Sequence, residues 1–462
     1  VIMFVDIKYV RTLKCSNKYC FINVHFCSCF LKGEFYMARN RRNTRGSGNS
    51  KNLDSKGIRF LFFTVLVFAA IFLFLFVFTK IKNYNFLKDL SKKSNELVSA
   101  SADSTGSDNS DLKSDSKKSF TLTAIGDIMC HNTQYWDAYN KSTDEYDFSY
   151  VFDDIKDYTL SPDITVANLE TSFAGKERGY SNYPTFNSPD SLATSLKNIG
   201  IDVISTAGNH CLDMGFNGLS RTIDILDNAD ISHLGTYKSQ EDQDKILYKY
   251  VKGVKIAFIN YTYGTNGIPV PSDKPYCLNL IDKDLISKQI KQAKEQNVDM
   301  IVACMHWGTE YKTSANDEQK ELADFLFKSG VDIILGNHPH VLEPMEKKTI
   351  TLDDGSTKDV FVVYALGNFT ADQRAEITRD SAILNLDITK DSDGKILINK
   401  VSYVPIYMYK NSAVKVHKFK ILDIEKSIAY FDSGDTSIGS SVYSNLKVQL
   451  QKIRDILGDE IN

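Results

Sequence analysis

Gly336-Asn337-His338-Pro339-His340 closes the apolar run Val331–Leu335, and the chain repeats that arrangement. Phe120–Ile125 leads into Gly126-Asp127-Ile128-Met129-Cys130-His131, and Ile164–Ala167 into Asn168-Leu169-Glu170. Val203–Thr206 precedes Gly208-Asn209-His210-Cys211-Leu212-Asp213, and Met300–Met305 precedes His306-Trp307-Gly308-Thr309-Glu310. Val360–Leu366 is followed by Gly367-Asn368-Phe369, and further runs lie at Lys255–Asn260, Ala382–Ile388 and Ile396–Tyr409. Most lack strict alternation, the pattern of strands buried on both faces. Helical stretches lie between them. Ser188-Pro189-Asp190 reads as an N-cap with proline at N1, and Gly218–Asn228 and Leu285–Gln296 carry helical spacing. Asn316–Ser329 is bounded by a capping asparagine and Gly330, and Tyr443–Leu457 is a late helix. Strands alternating with helices predict a layered α/β domain.

Ligands of open α/β sheets bind beyond the carboxyl ends of the strands, where the polar clusters fall. Five of the eight histidines lie in them; His25, His233 and His417 do not. One imidazole at a strand end is ordinarily a hydrogen-bonding residue. The ordered series is what points to a borderline divalent metal such as Mn, Zn or Fe. Asp127, His131, Glu170, Asn209, His306, His338 and His340 exceed the needs of one tetrahedral ion, so one or two ions are expected.

From about 120 to 410 the chain resembles the CapA (PgsA) family of capsule and poly-γ-glutamate biosynthesis proteins, itself similar to calcineurin-like metallophosphatases. The resemblance is carried by Gly126-Asp127, Asn168-Leu169-Glu170, Gly208-Asn209-His210 with Asp213 and Gly215, His306-Trp307-Gly308 with Glu310, Gly336 with His338 and His340, and Gly367-Asn368-Phe369. It implies a four-layer α-β-β-α sandwich. Asp127, His340 and, as a further candidate, His131 would hold one metal; Asn209, His306 and His338 the other. Glu170 would stand where phosphatases place a bridging aspartate. His210 would be the general acid, oriented by Asp213. Asn168, Glu310, Asn368, Lys176 and Arg178 are assigned to substrate binding. Two departures from the phosphatase pattern are the glutamate at 170 and the wider spacing from Asp127 to His131.

Phe60–Thr79 is twenty residues without a charge, about 30 Å as a helix, enough to span a bilayer's hydrocarbon core. Arg39, Arg41, Arg42, Arg45, Lys51, Lys56 and Arg59 precede it against Asp54 alone. This predicts an uncleaved signal anchor with the N-terminus cytoplasmic and the remainder outside a bacterial cell membrane. Residues 37–59 are the basic cytoplasmic segment, 80–119 a flexible linker, 120–410 the folded domain and 411–462 an extension packing on it. Residues 1–36 read as an untranslated leader, since Lys32-Gly33-Glu34 back-translates to a ribosome-binding-like sequence before Met37, or else as a Cys-rich tail.

The 462 residues carry a net charge of −3 with 42% hydrophobic residues, which excludes wholesale disorder and gives no footing for nucleic acid as partner. Eight cysteines are too few for a disulfide-built scaffold of this length. Cys130, Cys211, Cys277 and Cys304 are left open between buried thiols and a disulfide, and the three near site residues also between these and metal ligation. Lys176, Arg178, Arg374 and Arg379 lie in polar loops, either as solvated charges or as contacts for an anion. The resemblance and topology point to a component acting on synthesis, export or attachment of an anionic polymer such as poly-γ-glutamate, alongside multi-pass membrane subunits. The constellation alone reads as an envelope phosphoesterase, and the two departures admit a catalytically silent polymer-binding protein.

Overall fold

The computed structural model describes residues 117–352 and 355–461. The expected leader, basic segment and membrane anchor, and the linker up to residue 116, lie outside them. Among the described residues no helix is long and apolar enough to cross a membrane.

In chain order the elements are β1 (Lys118–Ile128), α1 (Asn132–Ala138), β2 (Tyr139–Asn140), β3 (Glu145–Tyr146), α2 (Lys156–Leu160), β4 (Ile164–Leu169), α3 (Ser191–Asn198), β5 (Val203–Ser205), α4 (Gly215–Asn228) and β6 (Ser232–Leu234). There follow α5 (Gln240–Gln243), β7 (Leu247–Val251), β8 (Val254–Thr262), α6 (Lys283–Glu295), β9 (Met300–His306), α7 (Asp317–Ser329), β10 (Ile333–Asn337), β11 (Leu342–Thr351) and β12 (Thr357–Leu366). The last are β13 (Asn368–Thr370), β14 (Asp380–Lys390), β15 (Ile396–Lys410), β16 (Phe419–Asp423), α8 (Ile424–Asp432) and α9 (Ser440–Leu457).

The strands form two large sheets. The first has eight strands in the order β16-β15-β14-β1-β4-β5-β6, with β13 also paired to β1. The second has six, β11-β12-β10-β9-β8-β7. Their centres are parallel: β1, β4, β5 and β6 in one, β8, β9, β10 and β12 in the other. Antiparallel strands flank both.

Alternation of side chains across each strand builds three apolar layers. Leu122 and Val203 of the first sheet meet Phe258, Val302 and Phe361 of the second in one cluster, so the sheets face each other. Ile125 and Ile204 turn the other way, toward Leu196 of α3 and Leu226 of α4. Ala303 and Ile334 do the same on the second sheet, toward Ile290 of α6 and Leu326 of α7. Each such side chain contributes about 1.5–3 kcal/mol when fully buried. Leu446, Ile453 and Leu457 of α9 enter the inter-sheet layer, so residues beyond 410 complete this core.

Glycines let the strand ends approach. A Cβ on Gly336 would lie 1.8 Å from the Tyr364 carbonyl oxygen, and one on Gly126 would lie 1.9 Å from that of Gly367. The Asp127 amide donates to the same Gly367 oxygen at 2.9 Å.

Some boundaries differ from the sequence reading. Lys118 and Ser119, placed in the linker, open β1. The helix expected to be capped by Ser188 begins at Ser191 after Asp190. Ser188 is engaged elsewhere, its hydroxyl 2.6 Å from that of Thr171 and its amide donating to the Ser172 carbonyl at 2.8 Å. β11 was missed because it is an edge strand, alternately exposed and containing Pro344, which an edge tolerates. Asn316 does cap α7, accepting from the Gln319 amide, and Gly330 ends it at φ 119°.

Asp380 opens β14 with Oδ1 buried and unpartnered. Burial pushes its carboxyl up to about 7, with Lys452 opposing and Glu376 adding to the rise. A folded-state value above the unfolded one means that stability falls as pH rises from the unfolded value through about 7. Asp380→Asn is therefore expected to raise the melting temperature at pH 8 and leave it nearly unchanged at pH 4, as thermal unfolding at the two values will show.

Candidate metal centre

The carboxyl ends of both parallel arrays converge. Cross-strand register sets Asp127 beside Asn168 and Asn368 in the first sheet, and His306 beside Asn337 and Thr262 in the second. Asp127, Glu170, Asn209, His306, His338 and His340 are all buried. With the exposed Glu310 they yield three trios whose ligand atoms lie within 4.8 Å of one another: Asp127, Glu170 and His340; Glu170, His306 and His338; and Glu310, His338 and His340.

Distances define the arrangement. His306 Nε2 is 2.8 Å from Asn209 Oδ1 and 3.8 Å from Glu170 Oε1. His340 Nε2 is 3.7 Å from the same Glu170 oxygen, while its Nδ1 is 3.5 Å from Asp127 Oδ2 and 3.1 Å from Asn368 Oδ1. The His338 amide donates to Asp127 Oδ2 at 3.2 Å. His338 and His340 both have left-handed backbones, φ 101° and 61°. That conformation costs a non-glycine residue about 1–3 kcal/mol, and here it serves to aim two imidazoles a proline apart at one point.

Both Glu170 oxygens and His338 Nδ1 are buried without a hydrogen-bond partner. An ionised carboxylate in that state is costly unless a cation sits against it. Burial, together with Asp127, Glu310 and Asp213 and against His340, drives the Glu170 carboxyl well above its usual range. Burial and the neighbouring imidazoles hold His306 well below its usual value and His338 at about 3. Both are thus neutral, the form that ligates metal. Burial pulls His340 down too, but Glu170 and Asp127 outweigh it and lift it to about 9. The orphaned oxygens and the imidazole–carboxylate–amide donor set fit a divalent cation.

The other predicted residues lie partly around these and partly away from them. Asn168 lies beneath the centre: its Nδ2 donates to Asp127 Oδ1 at 2.8 Å and faces His306 Nδ1 at 3.3 Å, and its Oδ1 accepts from the Ser205 hydroxyl at 2.8 Å. Asn368 braces His340 and donates to the Thr378 carbonyl and Gln373 Oε1 at 3.0 Å each. Both amides orient ligands, as groups behind a metal's ligands do. His210 Nδ1 is 2.7 Å from Asp213 Oδ2, which also accepts from the Phe186 amide at 2.6 Å. Phe186 packs edge-on to the His210 ring, 4.8 Å between centroids. His131 is outside the trios; its Nδ1 accepts the Asp372 amide at 3.1 Å. Lys176 and Arg178 are exposed, Lys176 on Asp144 at 2.6 Å and Arg178 on the Met214 carbonyl at 2.6 Å, away from the cavity wall.

That cavity, about 790 Å³, opens from the centre and is lined by His210, Glu310, His340 and His131 on one side and Arg374, Arg379 and Lys410 on another. The three cations also line an adjoining cavity of about 410 Å³. Lys410 meets Asp372 Oδ2 at 2.5 Å, and Arg379 reaches Asp372 and Glu376 only at 3.6 and 3.7 Å. Arg374 is exposed and, among the described residues, forms no ion pair with a carboxylate.

Sequence reasoning missed Tyr263, which lies 4.5 Å from the His338 ring between centroids, and Asn266, whose Nδ2 is 3.4 Å from His210 Nε2. Both follow β8, whose apolar run was recognised and whose carboxyl end holds the polar stretch Thr262-Tyr263-Gly264-Thr265-Asn266. Among the described cysteines all four are free, and none joins a trio. Burial pushes the Cys130 and Cys304 thiols up to about 12, and raises Cys211 and Cys277 as well, which disfavours the thiolate that ligates metal or reacts.

Residues 121–373 match the family described as bacterial capsule synthesis protein PGA_cap, more than half of the chain. The capsule biosynthesis protein CapA of Bacillus anthracis is 28% identical over 296 residues, 62% of this chain and 68% of that protein. The PGA biosynthesis protein CapA of Bacillus subtilis is 28% identical over 298 residues, 63% and 73% of the respective chains. Among solved structures, a 5'-nucleotidase precursor of Thermus thermophilus is 15% identical with a TM-score of 0.34, covering 62% of this chain and 54% of its own. The NAD nucleotidase of Haemophilus influenzae is 13% identical with a TM-score of 0.38, covering 73% and 60%.

Removing metal should destabilise the protein through Glu170. A divalent ion at about a hundred times its dissociation constant adds about 2.7 kcal/mol. Chelation is expected to lower the melting temperature of the wild type. Glu170→Gln is expected to melt higher than the metal-free wild type and to gain little from added Mn²⁺. Because an ion must displace the His340 proton, uptake should tighten as pH rises toward 9; calorimetric titration across pH checks the sign.

Proposed function

We propose a role in building an anionic surface polymer for this chain, which belongs to the bacterial capsule synthesis family PGA_cap. The chain acts as a membrane-anchored, extracellular component of capsule or poly-γ-glutamate biosynthesis, export or attachment. The anchor is the uncharged run at 60–79, and the basic residues before it favour a cytoplasmic N-terminus. Multi-pass membrane subunits are its expected partners.

The cavity carries the reading beyond family membership. It joins a divalent-metal centre to Arg374, Arg379 and Lys410, and these cations continue into a second cavity. A single small anion needs only the first. A chain of carboxylates or phosphates, held at one end by the metal, would meet the basic ridge with the next units.

The fold supports a metallophosphatase-like α-β-β-α sandwich, and the donor set suits one or two Mn, Zn or Fe ions. When bound, such a metal polarises an anionic oxygen and lowers the pKa of a coordinated water. The chain's own residues do the rest. Asp213 fixes His210 through Nδ1, which leaves Nε2 to hold or deliver a proton in the cavity. This pair favours a second reading, a phosphoesterase of the cell envelope.

Deleting the protein in its host is expected to lower surface polymer; unchanged polymer would sink the first reading. Purified protein loaded with Mn²⁺ is assayed on aryl phosphate mono- and diesters. Hydrolysis abolished by His210→Ala supports the second, and absence of turnover with every metal tried removes it. Arg374→Glu is expected to weaken binding of poly-γ-glutamate about tenfold at low salt, the worth of one charged hydrogen bond, and less at physiological salt. Fluorescence anisotropy with labelled polymer measures both.

A further inference from the structure

We propose that Glu310 is a ligand of the metal centre, beside His338 and His340. This rests on the metal-centre reading above. The trio of Asp127, Glu170 and His340 lacks the further donor that the first motif would supply through His131. His131, with three residues between it and Asp127 where the phosphatase pattern has one, does not supply it. Its Nδ1 is taken by the Asp372 amide, its ring packs against Phe186 with 5.4 Å between centroids, and it belongs to none of the trios.

Glu310 comes from another segment of the chain. It sits in the loop after β9, exposed at the cavity wall, and its carboxylate lies within 4.8 Å of ligand atoms on both His338 and His340. The placement is built into the backbone. The Tyr311 amide donates to the Pro339 carbonyl at 2.8 Å, which staples the Glu310 loop to the turn carrying the two imidazoles. Gly308 and Tyr311 both adopt left-handed backbones, φ 89° and 63°, to bring the loop round. A solvated rim carboxylate needs no such staple. The result is a centre with three carboxylates, Asp127, Glu170 and Glu310. Added oxygen donors shift preference from Zn toward Mn or Fe.

The test uses the full chain, stripped of metal and titrated with Mn²⁺, with bound metal counted by plasma mass spectrometry and Mn²⁺ paramagnetic resonance. Glu310→Gln is expected to weaken one ion by about tenfold or more and change the resonance signal, while Glu310→Asp recovers part of the loss and His131→Ala keeps the full complement. Melting curves confirm that each variant is folded. Glu310→Gln indistinguishable from wild type in affinity and spectrum overturns the assignment, as does loss of an ion in His131→Ala. A wild type that takes up no Mn, Zn or Fe overturns the metal centre as a whole, which separates failure of that reading from failure of this one.

Discussion

The Glu170 carboxylate is the constraint around which the rest is arranged. It is buried where the carboxyl ends of two sheets meet, and neither oxygen has a hydrogen-bond partner. A hydrophobic interior does not tolerate such a group unless positive charge reaches it. His306 and His338 are held neutral there and only His340 brings charge, in place of a fixed lysine or arginine, so a divalent ion is what would complete the compensation. Asn168 and Asn368 behind the ligands help to hold their orientation against this pull.

The same constraint explains what the sequence disclosed. Central parallel strands are covered on both faces, so they read as unbroken apolar runs, and polar residues at their ends stand out. Asp127, Glu170, Asn209, His306, His338 and His340 were legible for that reason. Which of them touch depends on two sheets facing each other, and no local pattern encodes that. Asn168 and Asn368 carry the same strand-end signal as the ligands, yet their amides turn inward; only hydrogen-bond partners separate the two roles. The distance from Asp127 to His131 was readable, but that His131 would be claimed by the Asp372 amide was not, because the two lie 241 residues apart. Edge strands such as β11 and β16 were missed because they are short, half-exposed or polar.

The domain separates two tasks in space. The parallel strands present ligands for an ion. Segments next to the antiparallel side of the first sheet, around the start of β14 and the end of β15, present Arg379 and Lys410. Asp372 ties the two together: its carboxylate meets Lys410 and the Thr133 hydroxyl, and its amide reaches His131. Alteration of one task need not disturb the other, since the shared members are few.

The left-handed turn at His338-Pro339-His340 sets a gauge. Proline and the strained backbone fix both imidazoles while the chain folds, so little ordering remains for the moment an ion arrives. The backbone thereby sets where both rings hang, and the adjustment left for ions of different radius lies in the side-chain torsions.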